Sequence, residues 1–290
     1  MQILITGANG QLGNEINRLK EDFPQWNFLF TDVDTLDITN EISVQNYFEA
    51  QKVDFVVNCA AYTAVDKAES DYDLAHRVNA LAPQILARQS QRAGARFIHV
   101  STDYVFAGDA CEPYAEEDSP DPQGVYGKTK LEGEQLAFKE NPNTVVLRTA
   151  WLYSAFGNNF VKTMLRLGTE RDELKVVFDQ IGSPTYAADL AKAILHIIER
   201  SARNAVHFIP GIYHFTDEGV ASWFDFALTI FELANVNCKV VPVLSDQFPT
   251  PAKRPHYSVL NKSKVKTNFE LNIPYWKDSL KECIKELRDK

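Results

Sequence analysis

Tyr126 and Lys130 stand four residues apart in Tyr126-Gly127-Lys128-Thr129-Lys130, a spacing that puts two side chains on one face of a helix. A phenol beside an ammonium is a proton donor whose acidity can be tuned. Its reference pKa of about 10 is too high for easy exchange near neutrality. At about 4 Å and an effective dielectric of about 20, the ammonium favours the phenolate by about 4 kcal/mol before desolvation, or about 3 pK units. Such a pair suits reduction of a carbonyl, where a proton must arrive as hydride does. The spacing is common, and taken alone it reads more readily as an exposed helix pair. Upstream, Ser101-Thr102-Asp103-Tyr104-Val105-Phe106 closes the apolar run 97–101, and a hydroxyl leaving that strand end could hydrogen-bond the same oxygen. Between them the segment 107–124, with three prolines and several acids, reads as a loop bordering a site. Asn79 is a candidate holder of a proton-relay water, with an ordinary core or surface amide as the alternative.

A second constellation opens the chain. Thr6-Gly7-Ala8-Asn9-Gly10-Gln11-Leu12-Gly13 follows the strand-like Gln2-Ile3-Leu4-Ile5-Thr6 and leads into a helical spacing at Leu12, Ile16 and Leu19. Gly7, Gly10 and Gly13 permit a tight turn, close approach of backbone to a pyrophosphate, and packing of helix on sheet. The helix N-terminus then offers N–H groups and partial positive charge to the phosphates. At the end of the second apolar run, Asp32, with Asp34 close by, is where a ribose 2′-hydroxyl would be held, or else a solvated strand-end acid. A carboxylate there favours NADH over NADPH by repelling a 2′-phosphate, unless it turns away.

These motifs need a sheet to position them. Runs at 3–6, 28–31, 54–59, 97–101 and 145–148 alternate with helical segments such as Val78, Leu81, Ile85 and Leu86. Strands apolar throughout, separated by helices, predict an α/β doubly wound parallel sheet of the Rossmann type, which binds ligands beyond its carboxyl strand ends. After about residue 150 the rhythm loosens. Helices are expected over 159–167, from about 186, over 221–234 and over 276–287, and strands over 175–178 and 212–216. The expected division is interwoven. Residues 1–150 plus roughly 175–215 form the dinucleotide-binding domain, and roughly 151–174 and 216–290 a smaller mixed α/β substrate lobe.

Composition bounds the partners. The chain has 290 residues, 45% hydrophobic and 24% charged, with a net charge of −9, which argues against nucleic acid or an anionic membrane surface. Cys59, Cys111, Cys238 and Cys283 are scattered without a C-x-x-C pair, so neither a zinc pattern nor a disulfide framework is indicated. No run approaches the length of a membrane span, and Met1 leads straight into the first strand, which together point to the cytoplasm. The six histidines show no metal spacing and read as packing or surface residues. Trp223, Phe224, Phe226, Leu228, Phe231 and Leu233 describe a buried helix of the smaller lobe, part of which could serve a subunit contact. Arg254, beside Lys253 in a proline-stiffened loop, has the planar fork that matches phosphate oxygens, or is a plain surface charge.

Together the glycine turn, Asn58-Cys59-Ala60-Ala61-Tyr62-Thr63-Ala64-Val65-Asp66-Lys67-Ala68-Glu69, the 101–106 and 126–130 motifs, Arg148-Thr149-Ala150-Trp151-Leu152-Tyr153, Asp179-Gln180-Ile181-Gly182-Ser183-Pro184-Thr185 and Arg254-Pro255 with Ser258 resemble the dTDP-4-dehydrorhamnose reductase family from end to end. The resemblance implies an extended short-chain dehydrogenase that reduces C4 of dTDP-4-dehydro-L-rhamnose with NADPH or NADH. It makes Tyr126 the proton donor, Lys130 its activator and ribose ligand, and Thr102 the carbonyl partner. Asp103, Tyr104 and Trp151 would contact the sugar, while Asp37, Ile38, Ala61, Tyr62 and Thr63 would line the cofactor together with Gly7, Gly10, Gln11, Leu12, Gly13 and Asp32. Some relatives hold magnesium between glutamates at a homodimer interface. Here Glu15 is the one such acid, and Ala188 and Lys290 stand where its partners would be, so Mg2+ and the dimer stay open. The same fold and Tyr/Lys pair would serve a nucleotide-sugar epimerase. A dehydratase would need an acid pair after the threonine, where this chain has Asp103 followed by Tyr104. Relatives that regulate methionine adenosyltransferase supply a non-catalytic alternative.

Overall fold

In the computed structural model, which describes residues 1–289, the five apolar runs are strands β1 (Gln2–Thr6), β2 (Asn27–Thr31), β3 (Phe55–Asn58), β4 (Arg96–Thr102) and β5 (Thr144–Thr149). With Gly211–His214 they form one six-stranded sheet, every pair parallel, in the order Gly211–His214, β5, β4, β3, β1, β2. Successive residues point to opposite faces. Ile3 and Ile5 pack under the helices Gln11–Leu19 and Ala187–Arg203, whereas Leu4, Val56 and Phe97 pack under Ala82–Ala93 and Val125–Glu140. Both faces are covered, which is why these strands read as unbroken apolar runs. Consecutive connections leave β1 in opposite directions along the sheet, and this reversal opens a crevice beyond the carboxyl ends of β1 and β3.

The remaining segments build the lobe above that crevice. Val161, Met164, Leu174, Val176, Phe226, Ile230, Trp276 and Leu280 form its core. The strand Glu173–Val177, expected on the sheet side of the boundary, pairs instead with Lys239–Val243 in a separate two-stranded ribbon. The amphipathic pattern of a short edge strand does not say which sheet it joins. The helix Ser263–Phe269 is an element that periodicity did not pick out. The chain leaves β5 for the lobe at Trp151, whose φ of 50° is left-handed. A bulky residue is rarely held there without packing to enforce it. That packing is Trp223, whose indole lies 3.5 Å from the Trp151 ring centre at 7°. No helix among the described residues is long and apolar enough to cross a membrane.

One buried ion pair ties helix Val125–Glu140 to the sheet. Arg148 of β5 donates through Nε to Glu134 Oε1 at 3.0 Å and through Nη2 to Oε2 at 2.7 Å, with both side chains almost wholly buried. Its guanidinium also stacks 5.1 Å from the Phe106 ring centre. Removing one partner strands the other charge in the core. We expect Glu134→Ala to lower unfolding stability by about 3–5 kcal/mol in urea titrations. The double variant Glu134→Leu/Arg148→Met should recover most of that loss. Equal losses in single and double variants would show that the pair holds nothing.

Candidate active site

A cavity of about 840 Å3 opens over the carboxyl ends of the strands. Its floor is the glycine turn. Gly7 sits at φ 66°, and a Cβ there would lie 2.7 Å from the Ala60 backbone. A Cβ on Gly13 would stand 2.5 Å from the Gly7 carbonyl oxygen, so this residue lets the helix close on the turn without itself reaching the cavity. Gly10, Gln11 and Leu12 line it where the helix Gln11–Leu19 begins. Asp32 lines it too, with both carboxylate oxygens hydrogen-bonded. Oδ2 accepts the Asn9 N–H at 2.9 Å and Oδ1 the Val33 N–H at 2.8 Å. Asp37, Ile38, Ala61 and Thr63 complete this end. Asp34 and Tyr62 are absent from the wall. The Tyr62 hydroxyl turns away to donate to Asp71 at 3.1 Å.

At the other end stand Thr102, Asp103, Tyr104, Tyr126, Lys130 and Trp151. Thr102 is the last residue of β4. Its hydroxyl accepts the Tyr104 N–H at 3.3 Å, donates to Asp103 Oδ1 at 2.9 Å, and lies near enough to the Tyr126 phenol to pull its pKa down. Burial pushes the Asp103 carboxyl up to about 6, against the pull of its bond from Thr102 and of the Ser258 hydroxyl nearby. Asp103 Oδ2 is buried without a hydrogen-bond partner. The Tyr104 ring meets Tyr126 edge-on, with ring centres 5.4 Å apart.

Tyr126 and Lys130 share the helix Val125–Glu140 as the spacing requires, but their electrostatics differ from the expectation. Burial raises the phenol to about 12, moderated by the Thr102 hydroxyl. The Lys130 ammonium is almost wholly buried, donates to the Val100 carbonyl at 2.6 Å, and is pulled down to about 8 by burial, with Glu134 opposing. The ammonium is bonded to the carbonyl of β4, and at the phenol burial outweighs the pull of Thr102. Tyr126 is therefore neutral and able to donate. Asn79 is also reassigned. Its Oδ1 accepts the Tyr62 N–H at 2.8 Å, and its Nδ2 donates to Tyr62 O and Thr129 Oγ1. The side chain is a tie between segments, with its polar atoms used by protein.

Other residues in the wall were not anticipated. Trp223, read as core of the lobe, faces the cavity against Trp151. Helical spacing shows that a face is covered, not what covers it. Cys59, Leu152 and Asn158 also line the space, and burial lifts the Cys59 thiol to about 12. Arg254 lies outside the wall, beside Tyr104, with Nη2 2.6 Å from Asp66 Oδ2. Glu15 is wholly buried, accepts from Ser154 at 2.6 Å and pairs with Arg18 at 2.7 Å. Ala188 sits in the lobe core and Lys290 lies outside the described residues. Among the described residues, no group of three His, Cys, Asp or Glu side chains is placed to hold a metal ion.

The family model described as the RmlD substrate binding domain matches residues 1–289. A dTDP-4-dehydrorhamnose reductase of Aggregatibacter actinomycetemcomitans is 42% identical over 97% of both chains. Among solved structures, a dTDP-4-dehydrorhamnose reductase of Clostridium acetobutylicum superposes with a TM-score of 0.94 at 48% identity, covering 99% of this chain and 100% of that one. The Bacillus anthracis reductase, crystallised in complex with NADP, does so at 0.92 and 41% identity, covering 98% and 99%. With the whole length matched and the glycine turn, Thr102 and Tyr126 gathered on one cavity, this chain belongs to the dTDP-4-dehydrorhamnose reductase family.

Proposed function

We propose that the protein reduces the C4 keto group of dTDP-4-dehydro-L-rhamnose to give dTDP-L-rhamnose, using NADPH or NADH. The observation that carries this is the convergence of Thr102 and the neutral Tyr126 phenol on one end of a cavity whose other end is a dinucleotide cradle. Gly7, Gly10, Gln11 and Leu12 would hold the pyrophosphate and Asp32 the adenosine ribose, and the close approach of Gly7 to Ala60 fits that use. The nicotinamide supplies the hydride. Tyr126 gives the proton to the carbonyl oxygen, and Thr102 hydrogen-bonds that oxygen as charge develops on it. Lys130 holds positive charge beneath the phenol and would bond the nicotinamide ribose. Asp103, through its unpartnered Oδ2, would accept a sugar hydroxyl, with Tyr104 and Trp151 framing the ring and Arg254 meeting the diphosphate.

In this reading residues 1–150 and the later sheet elements hold the cofactor, and the lobe holds the sugar nucleotide. The reading includes a homodimer, for which Leu228, exposed on helix Trp223–Ala234, offers apolar surface. It also includes residence in the cytoplasm. Glu15, the one acid the resemblance offers for magnesium, accepts from Ser154 and pairs with Arg18.

The central test is turnover of dTDP-4-dehydro-L-rhamnose, followed by loss of reduced-cofactor absorbance, with one equivalent oxidised per dTDP-L-rhamnose formed. Tight cofactor binding without turnover would favour a regulatory subunit, and turnover without net oxidation an epimerase. Tyr126→Phe should lower kcat by about 10²- to 10⁴-fold. Unchanged kcat would remove Tyr126 from the chemistry.

The pH profile follows from the shifted groups. Asp103, up at about 6, is neutral below that pH, and Lys130, down at about 8, loses its charge above that pH. A profile of kcat/KM should therefore fall on both sides of a plateau between about 6 and 8. Asp103→Asn should abolish the acid limb, and an unaltered limb would assign it elsewhere. For cofactor choice, the fixed Asp32 carboxylate implies that NADH serves at least as well as NADPH. Asp32→Asn keeps an acceptor for the turn and should shift the kcat/KM ratio towards NADPH. A wild-type preference of a hundredfold for NADPH would place Asp32 away from the ribose.

A further inference from the structure

The motif 58–69 carries two acids to which the proposed reaction gives no role. Cys59, Ala60, Ala61, Thr63 and Val65 line the cavity, but Asp66 and Glu69 do not. Both lie at the short helix Val65–Ala68 or just beyond it, and both make bonds across great sequence distance. Asp66 Oδ2 lies 2.6 Å from Arg254 Nη2, and its Oδ1 accepts the Ala252 N–H at 3.2 Å, so one carboxylate holds the side chain and the backbone of the 250–255 loop. Glu69 Oε1 accepts the Val125 N–H at 2.9 Å, the first amide of the helix that carries Tyr126. A Cβ on Gly124 would come within 2.7 Å of that oxygen, so the glycine leaves room for the bond. Asn79 fastens the start of the same segment by bonding Tyr62 and Thr129 of that helix. The turn bearing Asp66 is thus anchored on the catalytic helix and on the cofactor wall together.

Arg254 has a matching incompleteness. One guanidinium nitrogen, Nη2, is taken by Asp66, and the side chain lies beside Tyr104, which lines the cavity. The other terminal nitrogen, Nη1, is buried with no hydrogen-bond partner. A buried N–H fork edge left unpaired is costly unless an acceptor arrives. We propose that Asp66 is a positioning residue: it clamps Arg254 so that the unpaired edge of the guanidinium is set for the diphosphate of the nucleotide-linked substrate. This rests on the reading of Arg254 as the diphosphate ligand. A loose arginine loses rotamer freedom when it binds an anion, whereas a clamped one has already lost it. The opposing effect is partial neutralisation of the guanidinium. It is weakened by solvent, because the Asp66 side chain is 41% exposed.

The test uses the full chain with saturating reduced cofactor, measuring kcat and KM for dTDP-4-dehydro-L-rhamnose and inhibition by dTDP. Asp66→Asn should raise both KM and the dTDP inhibition constant about five- to tenfold. Its kcat and cofactor KM should stay within about twofold. Asp66→Glu, which keeps the charge, should restore part of the loss. In an Arg254→Ala background Asp66→Asn should add nothing, whereas a purely structural aspartate would add its own loss. An unchanged or lowered KM in Asp66→Asn, with a raised KM in Arg254→Ala, overturns the positioning role alone. An unchanged KM in Arg254→Ala overturns the diphosphate reading and this inference with it.

Discussion

A buried ammonium sets the terms on which this site is built. Lys130 is 1% exposed and has one protein hydrogen bond, to the Val100 carbonyl. Glu134, one helical turn on, opposes its loss of charge, and Glu134 is itself gripped from two sides by Arg148. Positive, negative and positive groups therefore run from β4 through the helix to β5. Burial of such groups is tolerated only where geometry is exact enough to replace water. The helix cannot slide against the sheet without breaking one of these bonds, so Tyr126 is fixed relative to Thr102 at the end of β4. The same desolvation that depresses Lys130 keeps the phenol protonated. A proton donor and a positive charge are held together at neutral pH by burial rather than by mutual attraction.

How much of this could be read from residues follows from the range of each interaction. The turn at Gly7, Gly10 and Gly13 was legible because its constraint is local: close backbone approaches that a Cβ would block. The five strands were legible because both faces of the sheet are covered, which writes an unbroken apolar run. The Tyr126–Lys130 pair was legible as a spacing, yet the direction of the phenol shift was not. Desolvation depends on what surrounds the helix, and no sequence window contains Val100, Glu134 and Cys59 together. Glu15, offered by the resemblance as a magnesium acid, is a buried tie to Ser154, 139 positions away. Asp66 is bonded to Arg254 across 188 positions, and in the sequence it is only one letter of a motif.

Trp151 shows how the lobe joins this rigid frame. The chain must turn out of the sheet immediately after β5, and it does so through a left-handed tryptophan rather than a glycine. Such a conformation costs about 1–3 kcal/mol in a non-glycine residue. An aromatic pair returns about 0.5–1.5 kcal/mol beyond its buried area, so the stack on Trp223 can offset much of that cost. Gly182 makes the arrangement possible from another side, since a Cβ there would lie 2.6 Å from the Trp151 ring. A glycine in that place would have relaxed the turn and left no indole at the cavity wall. The strained position thus carries an indole that lines the cavity.

The division of labour then follows from which groups are held by the sheet and which by the lobe. In the proposed reaction Thr102, Tyr126 and Lys130 would polarise and protonate a carbonyl that takes its hydride from the cofactor, but nothing in that trio reads the rest of the substrate. Trp151, Trp223 and Asp103 line the end of the cavity where the ring would sit in the proposed reaction, and Arg254 stands outside that wall, on a loop tied to Asp66. Binding energy from the remote diphosphate can orient the reacting carbon only if the arm that holds it is fixed relative to the hydride donor. The segment 59–69 meets that condition, because it touches the cofactor end, the catalytic helix and the outer loop at once. Under the proposed reaction, discrimination among keto sugars of the same size would fall to the lobe and to that strap, while the proton donor stays fixed on the helix tied to the sheet.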